Sequence, residues 1–242
     1  MVPTELKKEL QILAKIADSA ESGLPLMEES EQPSLSTLVF YTDAAGASYS
    51  MFRGEKKFHN NSGRGVACLG GESLEDIWCW CRLAWPEGFL DEQKDEKGTS
   101  FGCKSTTLEA VGMLLPFLAF PEKVKGKNVV FKIDNMAVLF GWYHGFVKND
   151  RSASEILKCV HYLSGINGTV VNVDHVGRVS DDMAKLADEL SRRDQSTDER
   201  ACLALQKAER GFVTGSLLTW LKNAKEKIDL IKMIKELEMK ST

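Results

Sequence analysis

The order of strand-like and helix-like segments limits this chain to a small set of folds. Residues 37–43, T-L-V-F-Y-T-D, form a β-branched and aromatic run that ends on an acid, and strand composition returns at residues 65–69 and 77–85. Apolar strands at residues 128–133 and 169–173 then alternate with helical patterns. Three antiparallel strands followed by alternating units predict a mixed five-stranded α/β sheet with helices on its faces.

Capping residues and apolar spacing predict the helices. Ser105 and Thr106 are candidate caps for a helix at residues 107–120, which Pro116 is expected to kink or end early. The other predicted helices start at residue 136, span residues 152–164, and run from about residue 180 to 193.

The chain is predicted to have three parts. An amphipathic helix and a Gly-, Pro- and Ser-containing linker occupy residues 1–37, the sheet domain occupies residues 38–195, and a C-terminal helical extension occupies residues 196–242.

Composition bears on the environment and the partners of the chain. The net charge is −4, and residues 1–37 hold seven acids against three lysines, so residues 38–242 sum to zero. This balance counts modestly against tight autonomous binding to nucleic acid, which generally uses a basic face. No apolar run approaches the roughly 18 residues of a membrane helix, and no signal-peptide core is present. We therefore expect an intracellular protein, cytoplasmic or nuclear, with no membrane partner and with reduced cysteines.

Four acids fall at positions that such a sheet can bring together. Asp43 ends the first strand, Asp134 follows a parallel strand, Glu109 lies in the predicted first turn of a helix, and Asp188 lies on the last helix of the domain. Ligands gather at the carboxyl ends of adjacent strands in α/β sheets. Carboxylates held close together repel one another unless they share a cation, and their hard oxygens suit Mg²⁺ or Mn²⁺. The pattern predicts a divalent-cation site, although each acid taken singly is more often an ordinary cap or turn residue.

The predicted chemistry is hydrolysis of a nucleic-acid strand. Two cations about 3.5–4 Å apart can activate a water and stabilise both the attacking and the leaving oxygen of a phosphodiester displacement. His175 lies just past a predicted strand, where an imidazole can act on a scissile phosphate as general acid or base. The alternative of an ordinary loop histidine stays open.

Four motifs carry a resemblance to a known family. Y-T-D-A at 41–44, K-S-T-T-L-E-A at 104–110, K-I-D-N at 132–135, and D-H-V-G-R with L-A-D-E-L-S-R across 174–192 resemble the ribonuclease H domain of reverse transcriptases, most closely that of DIRS-like (tyrosine-recombinase) retroelements. The resemblance covers about residues 38–195. It extends weakly to S-G-L-P-L at 22–26, which looks like the segment joining a polymerase region to its ribonuclease H.

The resemblance implies a fold, an activity and partners. The fold is a ribonuclease H-like mixed five-stranded sheet, and the activity is endonucleolytic hydrolysis of the RNA strand of RNA–DNA hybrids with two Mg²⁺ ions, for which Mn²⁺ can substitute. The implied partners are the hybrid and the polymerase region of a reverse transcriptase, in cis or in trans. Carried over residue by residue, the family's metal-binding acids fall on Asp43, Glu109, Asp134 and Asp188, and its mobile histidine falls on His175.

Three further residues are candidates for substrate binding. Asn135 is placed to orient a ribose or the neighbouring Asp134, and Lys104 and Arg178 are placed to hold phosphates. A turn role for Asn135 and solvated roles for the two cations are open alternatives.

Two spacings depart from the family pattern. The first two acids, at positions 43 and 109, are 66 residues apart. This spacing is longer than in a compact ribonuclease H and predicts insertions at about residues 46–63 and 86–104. The spacing from His175 to Asp188 is also long, so Asp181 or Asp182 could replace Asp188 as the fourth ligand. We prefer Asp188 because its flanking residues match and because the other two suit a helix N-terminus.

Other functions are considered beside this one. A domesticated or inactive module of the same fold would bind nucleic acid or protein without cleaving. A proofreading-type exonuclease would show D-x-E in the first strand, whereas Asp43 is followed by Ala44 and Ala45. An integrase-like enzyme would end its acid series with a glutamate on the last helix and would lack the early Glu109.

Overall fold

The computed structural model describes residues 36–46, 49–52, 55–58, 64–86, 90, 93–94, 100–101, 105–177, 180–213 and 217. The predicted N-terminal helix, its linker up to residue 35, most of the C-terminal extension, and the candidate residues Lys104 and Arg178 lie outside these ranges. Within the described ranges, no helix has the length and apolar character needed to cross a membrane.

The described part of the chain contains ten strands and six α-helices. The strands are β1 (Thr37–Ala44), β2 (Tyr49–Phe52), β3 (Glu55–Phe58), β4 (Gly65–Gly70), β5 (Cys79–Ala84), β6 (Gln93–Lys94), β7 (Ser100–Phe101), β8 (Asn128–Ile133), β9 (Val170–His175) and β10 (Glu209–Gly211). The helices are α1 (Ser105–Ala119), α2 (Pro121–Val124), α3 (Met136–His144), α4 (Arg151–Asn167), α5 (Asp182–Arg192) and α6 (Glu199–Lys207), and a 3₁₀ turn spans Leu74–Asp76.

Six of the strands form one mixed sheet in the order β10-β5-β4-β1-β8-β9. β1, β4 and β5 make an antiparallel meander, and β8 and β9 continue the sheet in parallel on the other side of β1. The predicted α/β class, with an antiparallel meander, parallel strands and flanking helices, is therefore confirmed. Two separate hairpins, β2 with β3 and β6 with β7, fall within the stretches 46–63 and 86–104 that the spacing of the acids marked as insertions.

The sixth strand corrects the prediction of five strands and of a wholly helical C-terminal extension. β10 pairs in parallel with β5, and the amide of Glu209 donates to the carbonyl of Trp78 at 3.1 Å. Its three residues, E-R-G, have no apolar alternation, so the sequence carries no strand signal there. The strand is held by backbone pairing with β5. The boundaries predicted at residues 37 and 195 stay predictions.

The strands alternate between two apolar clusters, one on each face of the sheet. Phe40 of β1 packs with α1 and α4 in the first cluster, and Tyr41 packs with α5 in the second. Successive side chains of a strand point to opposite faces, so β1 ties the two layers together. Leu217 is buried in the first cluster.

Helix α1 differs from its prediction at both ends. It begins at Ser105, so Ser105 and Thr106 lie in the first turn instead of capping it, and Glu109 falls in the second turn. Pro116 does not end the helix, which continues to Ala119. Proline removes one backbone hydrogen bond, but every residue from 107 to 117 is buried, and this packing outweighs the loss.

Gly112 lets α1 approach β1 more closely than any other residue would. A Cβ atom at this position would lie 2.9 Å from Cβ of Thr42 and 3.4 Å from Cγ2 of Val66. Thr42 is on β1 beside Asp43, and Gly112 follows Glu109 by three residues on the helix. The close contact therefore sets the distance between the elements that carry these two acids.

We predict that Gly112→Ala lowers the free energy of unfolding by about 1–3 kcal/mol, because the added methyl group must push α1 away from β1. Gly165→Ala is the matched control, because Gly165 is also helical but a Cβ there meets nothing within 4 Å. It should raise the free energy of unfolding by about 0.5–1 kcal/mol through helix propensity. Urea unfolding of both variants tests this, and equal effects would contradict the close-approach argument.

Candidate functional site

The register of two parallel strands brings Asp43 and Asp134 to the same edge of the sheet. Tyr41 of β1 pairs with Lys132 of β8, and each acid lies two residues further along its strand direction. Asp43 is the penultimate residue of β1, and Asp134 immediately follows β8. The pairing that forms the centre of the sheet therefore also aligns these two carboxylates.

Glu109 completes a group of three acids. Among the described residues, Asp43, Glu109 and Asp134 each offer a carboxylate oxygen, and these oxygens lie within 4.8 Å of one another. Asp43 and Glu109 are each only 4% exposed, and Asp134 is half-buried. The positions of these acids at two strand ends and on a helix predict this convergence.

The chemistry of this donor set fits a divalent cation. Three carboxylates at such distances repel one another, and partial burial strengthens the repulsion because little solvent screens it. A hard cation with oxygen ligands relieves it, and carboxylates with water are the ligands that Mg²⁺ prefers. A cavity of about 10 Å³, the size of about one water, adjoins two of the acids and is lined by Thr42, Asp43, Asp134, Val176 and Ala184.

Asp188 is not part of the three-acid group. Its carboxylate accepts hydrogen bonds from Arg192 one turn along α5, with Nε at 3.0 Å and Nη2 at 2.7 Å. This ion pair raises the pKa of Arg192. The structure thus brings together three of the four predicted ligands and places the fourth in an intrahelical pair.

The two alternatives for the fourth ligand have roles at the start of α5. Oδ1 of Asp181 accepts from the amides of Met183 and Ala184 at 2.9 and 3.1 Å, which caps the helix. Oδ2 of Asp181 accepts from the hydroxyl of Tyr41 at 3.2 Å, and burial together with this carboxylate raises the pKa of Tyr41 to about 12. Asp182 is exposed and pairs with Lys185 at 2.8 Å.

His175 lies on a strand, whereas the sequence analysis placed it in the loop beyond. β9 extends to His175, which pairs with Ile133, and the amide of Val176 donates to the carbonyl of Ile133 at 2.8 Å. The strand prediction ended at Val173 because polar residues follow, but continued pairing with β8 keeps the backbone extended. His175 is exposed beside the residue that precedes Asp134.

Asn135 caps a helix. Its Oδ1 accepts from the amides of Ala137 and Val138 at 3.0 and 3.1 Å, and this fixes the start of α3 directly after Asp134. The helix-capping contact is the turn role that the sequence analysis left open as an alternative to substrate binding.

Ser191 is a residue of the site that the sequence analysis did not single out. Its Oγ donates to Oδ2 of Asp43 at 2.7 Å, a contact between α5 and the acid group. The available signal was its place in L-A-D-E-L-S-R, three residues after Asp188 and therefore on the same helical face. Burial and the charge of Arg192 lower the pKa of Arg64.

Comparison with known proteins gives structural likenesses at low identity. No protein-family model matches the sequence, and no curated protein matches it. RNase H1 of Halobacterium salinarum is 14% identical and covers 64% of this chain and 93% of its own, with a TM-score of 0.41. The N-terminal RNase H domain of a Mycobacterium tuberculosis protein, solved as a fusion with maltose-binding protein, is 12% identical and covers 64% and 94%, with a TM-score of 0.44. LC11-RNase H1 in complex with an RNA/DNA hybrid is 11% identical and covers 63% and 92%, with a TM-score of 0.41.

We predict that Mg²⁺ or Mn²⁺ stabilises the folded chain through the three acids. At a cation concentration of 100 times Kd, binding adds about 2.7 kcal/mol. For a chain of this size that corresponds to a rise of about 5–10 °C in Tm.

Asp134→Asn should abolish most of the rise because it removes one of three charges. Asp182→Asn, a change at an exposed acid outside the group, should keep it. Thermal unfolding with and without chelator measures the effect, and an undiminished rise in Asp134→Asn would contradict the assignment.

Proposed function

We propose that this chain is a metal-dependent endonuclease of the ribonuclease H type that hydrolyses the RNA strand of RNA–DNA hybrids. The convergence of Asp43, Glu109 and Asp134 on one edge of a mixed sheet carries this proposal. These are the acids of the motifs Y-T-D-A, K-S-T-T-L-E-A and K-I-D-N, which resemble a ribonuclease H domain in their order and in the elements that hold them.

Asp43, Glu109 and Asp134 would hold the divalent cation. A cation bound there supplies Lewis-acid stabilisation of the negative charge that develops on a scissile phosphate. The burial of Asp43 and Glu109 keeps solvent from screening their attraction for a cation. Their rigid placement on β1 and α1 means that little reorganisation accompanies the reaction.

The other predicted site residues are assigned positioning and proton-transfer roles. His175, exposed at the end of β9, would reach the leaving 3′ oxygen and give it a proton. Asn135 would fix the direction of the backbone around Asp134 by capping α3. Asp188, the predicted fourth ligand, would first have to leave its pair with Arg192.

The proposed substrate, an RNA–DNA hybrid, is one that a protein surface can recognise without reading base sequence. Hybrid duplexes are recognised largely by shape and by 2′-hydroxyl and phosphate contacts. Residues 38–242 have no net charge, so we assign part of the affinity to a polymerase region of a reverse transcriptase, in cis or in trans. The retroelement origin rests on L-A-D-E-L-S-R and S-G-L-P-L.

A second candidate is a module of the same fold that binds nucleic acid or protein without cleaving. The pairing of Asp188 with Arg192 favours it, because the fourth predicted ligand is absent from the acid group. The zero net charge of residues 38–242 points the same way.

We predict that the full chain cuts the RNA of an end-labelled RNA–DNA hybrid with Mg²⁺, and cuts neither double-stranded RNA nor duplex DNA. Chelator should stop the reaction. Asp134→Asn should lower the rate at least about 100-fold, as expected for the loss of a group that stabilises transition-state charge. Glu155→Gln is the matched control, because Glu155 is a partly exposed acid on α4 that pairs with Lys158 outside the three-acid group, and the rate of this variant should stay unchanged.

The outcomes separate the two candidates. Binding of the hybrid without metal-dependent cleavage would favour the binding module. Equal cleavage of all three duplexes would contradict the hybrid as substrate. Cleavage by Asp134→Asn at the rate of the unmodified chain would contradict the three-acid site.

A further inference from the structure

Ser191 is a fully buried polar contact of the acid group. Its side chain is 0% exposed, and its Oγ lies 2.7 Å from Oδ2 of Asp43, which belongs to a strand 148 residues earlier in the chain. Asp43 is itself 4% exposed. A buried hydroxyl this close to a carboxylate makes a charge-assisted hydrogen bond, which is shorter and stronger than a neutral one.

The hydroxyl proton of Ser191 has two acceptors within reach. Oγ lies 2.7 Å from the Asp43 carboxylate and 2.8 Å from the carbonyl of Asp188, but a serine hydroxyl has one proton to donate. An ionised carboxylate is a stronger acceptor than a backbone carbonyl, and the contact to Asp43 is also the shorter of the two, so donation to Asp43 is favoured. The bond then restrains the orientation of the Asp43 carboxyl group.

The contacts of Arg82 and the burial of Leu190 hold the end of α5 that carries Ser191 in place. Nε of Arg82 donates to the carbonyl of Leu190, and Nη1 of Arg82 pairs with Asp194. Leu190 is fully buried in the second apolar cluster. The serine hydroxyl therefore does not move freely, and it transmits the position of α5 to Asp43.

We propose that Ser191 is a positioning residue that orients the Asp43 carboxylate for the cation. This inference rests on the proposed function, since it assumes a cation at the three acids. Groups that hydrogen-bond to metal ligands fix their orientation, and their loss typically costs about 10–100-fold in metal affinity or activity. The competing role is purely structural, a serine that bonds back to its own helix through the Asp188 carbonyl.

A second serine, Ser196, follows shortly after the end of α5 and provides a matched control. Ser196 is 8% exposed, and its Oγ donates to Oε2 of Glu189 at 2.6 Å. Ser196→Ala thus removes a comparable buried bond between a hydroxyl and a carboxylate, but one whose acid lies outside the three-acid group. Ser191→Cys serves as a second variant, because it keeps the packing and offers only a weak donor.

The test measures Mn²⁺ binding to the full chain by calorimetry and by electron paramagnetic resonance, beside Tm in chelator. We expect Ser191→Ala and Ser191→Cys to weaken Mn²⁺ binding about tenfold or more. Ser196→Ala should lower Tm but leave the Mn²⁺ affinity within about twofold. Raising the Mn²⁺ concentration should restore hybrid cleavage in Ser191→Ala but not in Asp134→Asn.

The results distinguish this inference from the proposed function. One outcome is that Ser191→Ala binds Mn²⁺ as tightly as the unmodified chain does but has a lower Tm. This result would overturn the positioning role and show that the serine is structural. If the unmodified chain does not bind Mn²⁺, the proposed function fails and the positioning role fails with it. Weakened binding in both Ser191 variants, with Ser196→Ala unaffected, supports the role.

Discussion

Repulsion among three closely held carboxylates is the constraint on which the rest of this structure depends. Asp43 and Glu109 are almost fully buried, and their ligand oxygens lie within 4.8 Å of each other and of Asp134. Ionised acids so placed oppose folding unless a cation or hydrogen-bond donors compensate them. The strands and the helix that carry them must therefore be held by interactions strong enough to withstand this cost.

The holding interactions come from the core of the sheet. Parallel pairing of β1 with β8 aligns Asp43 with Asp134, and the bare backbone of Gly112 lets α1 bring Glu109 against β1. Large buried side chains such as Phe40 and Phe131 pack on the same layer as α1. Burial of these groups supplies the favourable free energy, since each large apolar side chain contributes about 1.5–3 kcal/mol. The site is thus placed by the same contacts that stabilise the fold.

Helix α5 closes the site from the opposite layer of the sheet. Its N-terminus is capped by Asp181, and its C-terminal end is held by Arg82 and carries Ser191, which contacts Asp43. The same helix carries Asp188, the fourth predicted acid, which pairs with Arg192 and is not part of the three-acid group.

Local sequence signals determined the fold class and the three acids of the site. Strand composition and helix caps are properties of short segments, so they can be recognised without knowledge of the tertiary structure. The order of Asp43, Glu109 and Asp134 along these segments then indicates which acids meet at the sheet edge. Tertiary structure alone decided the rest. Residues 209–211, E-R-G, form a strand because their backbone pairs with β5. Helix α1 continues beyond Pro116 because its residues are buried. Ser191 contacts Asp43 although the two residues are 148 positions apart in the chain. Such features depend on neighbours distant in the chain, and no local pattern of side chains encodes them.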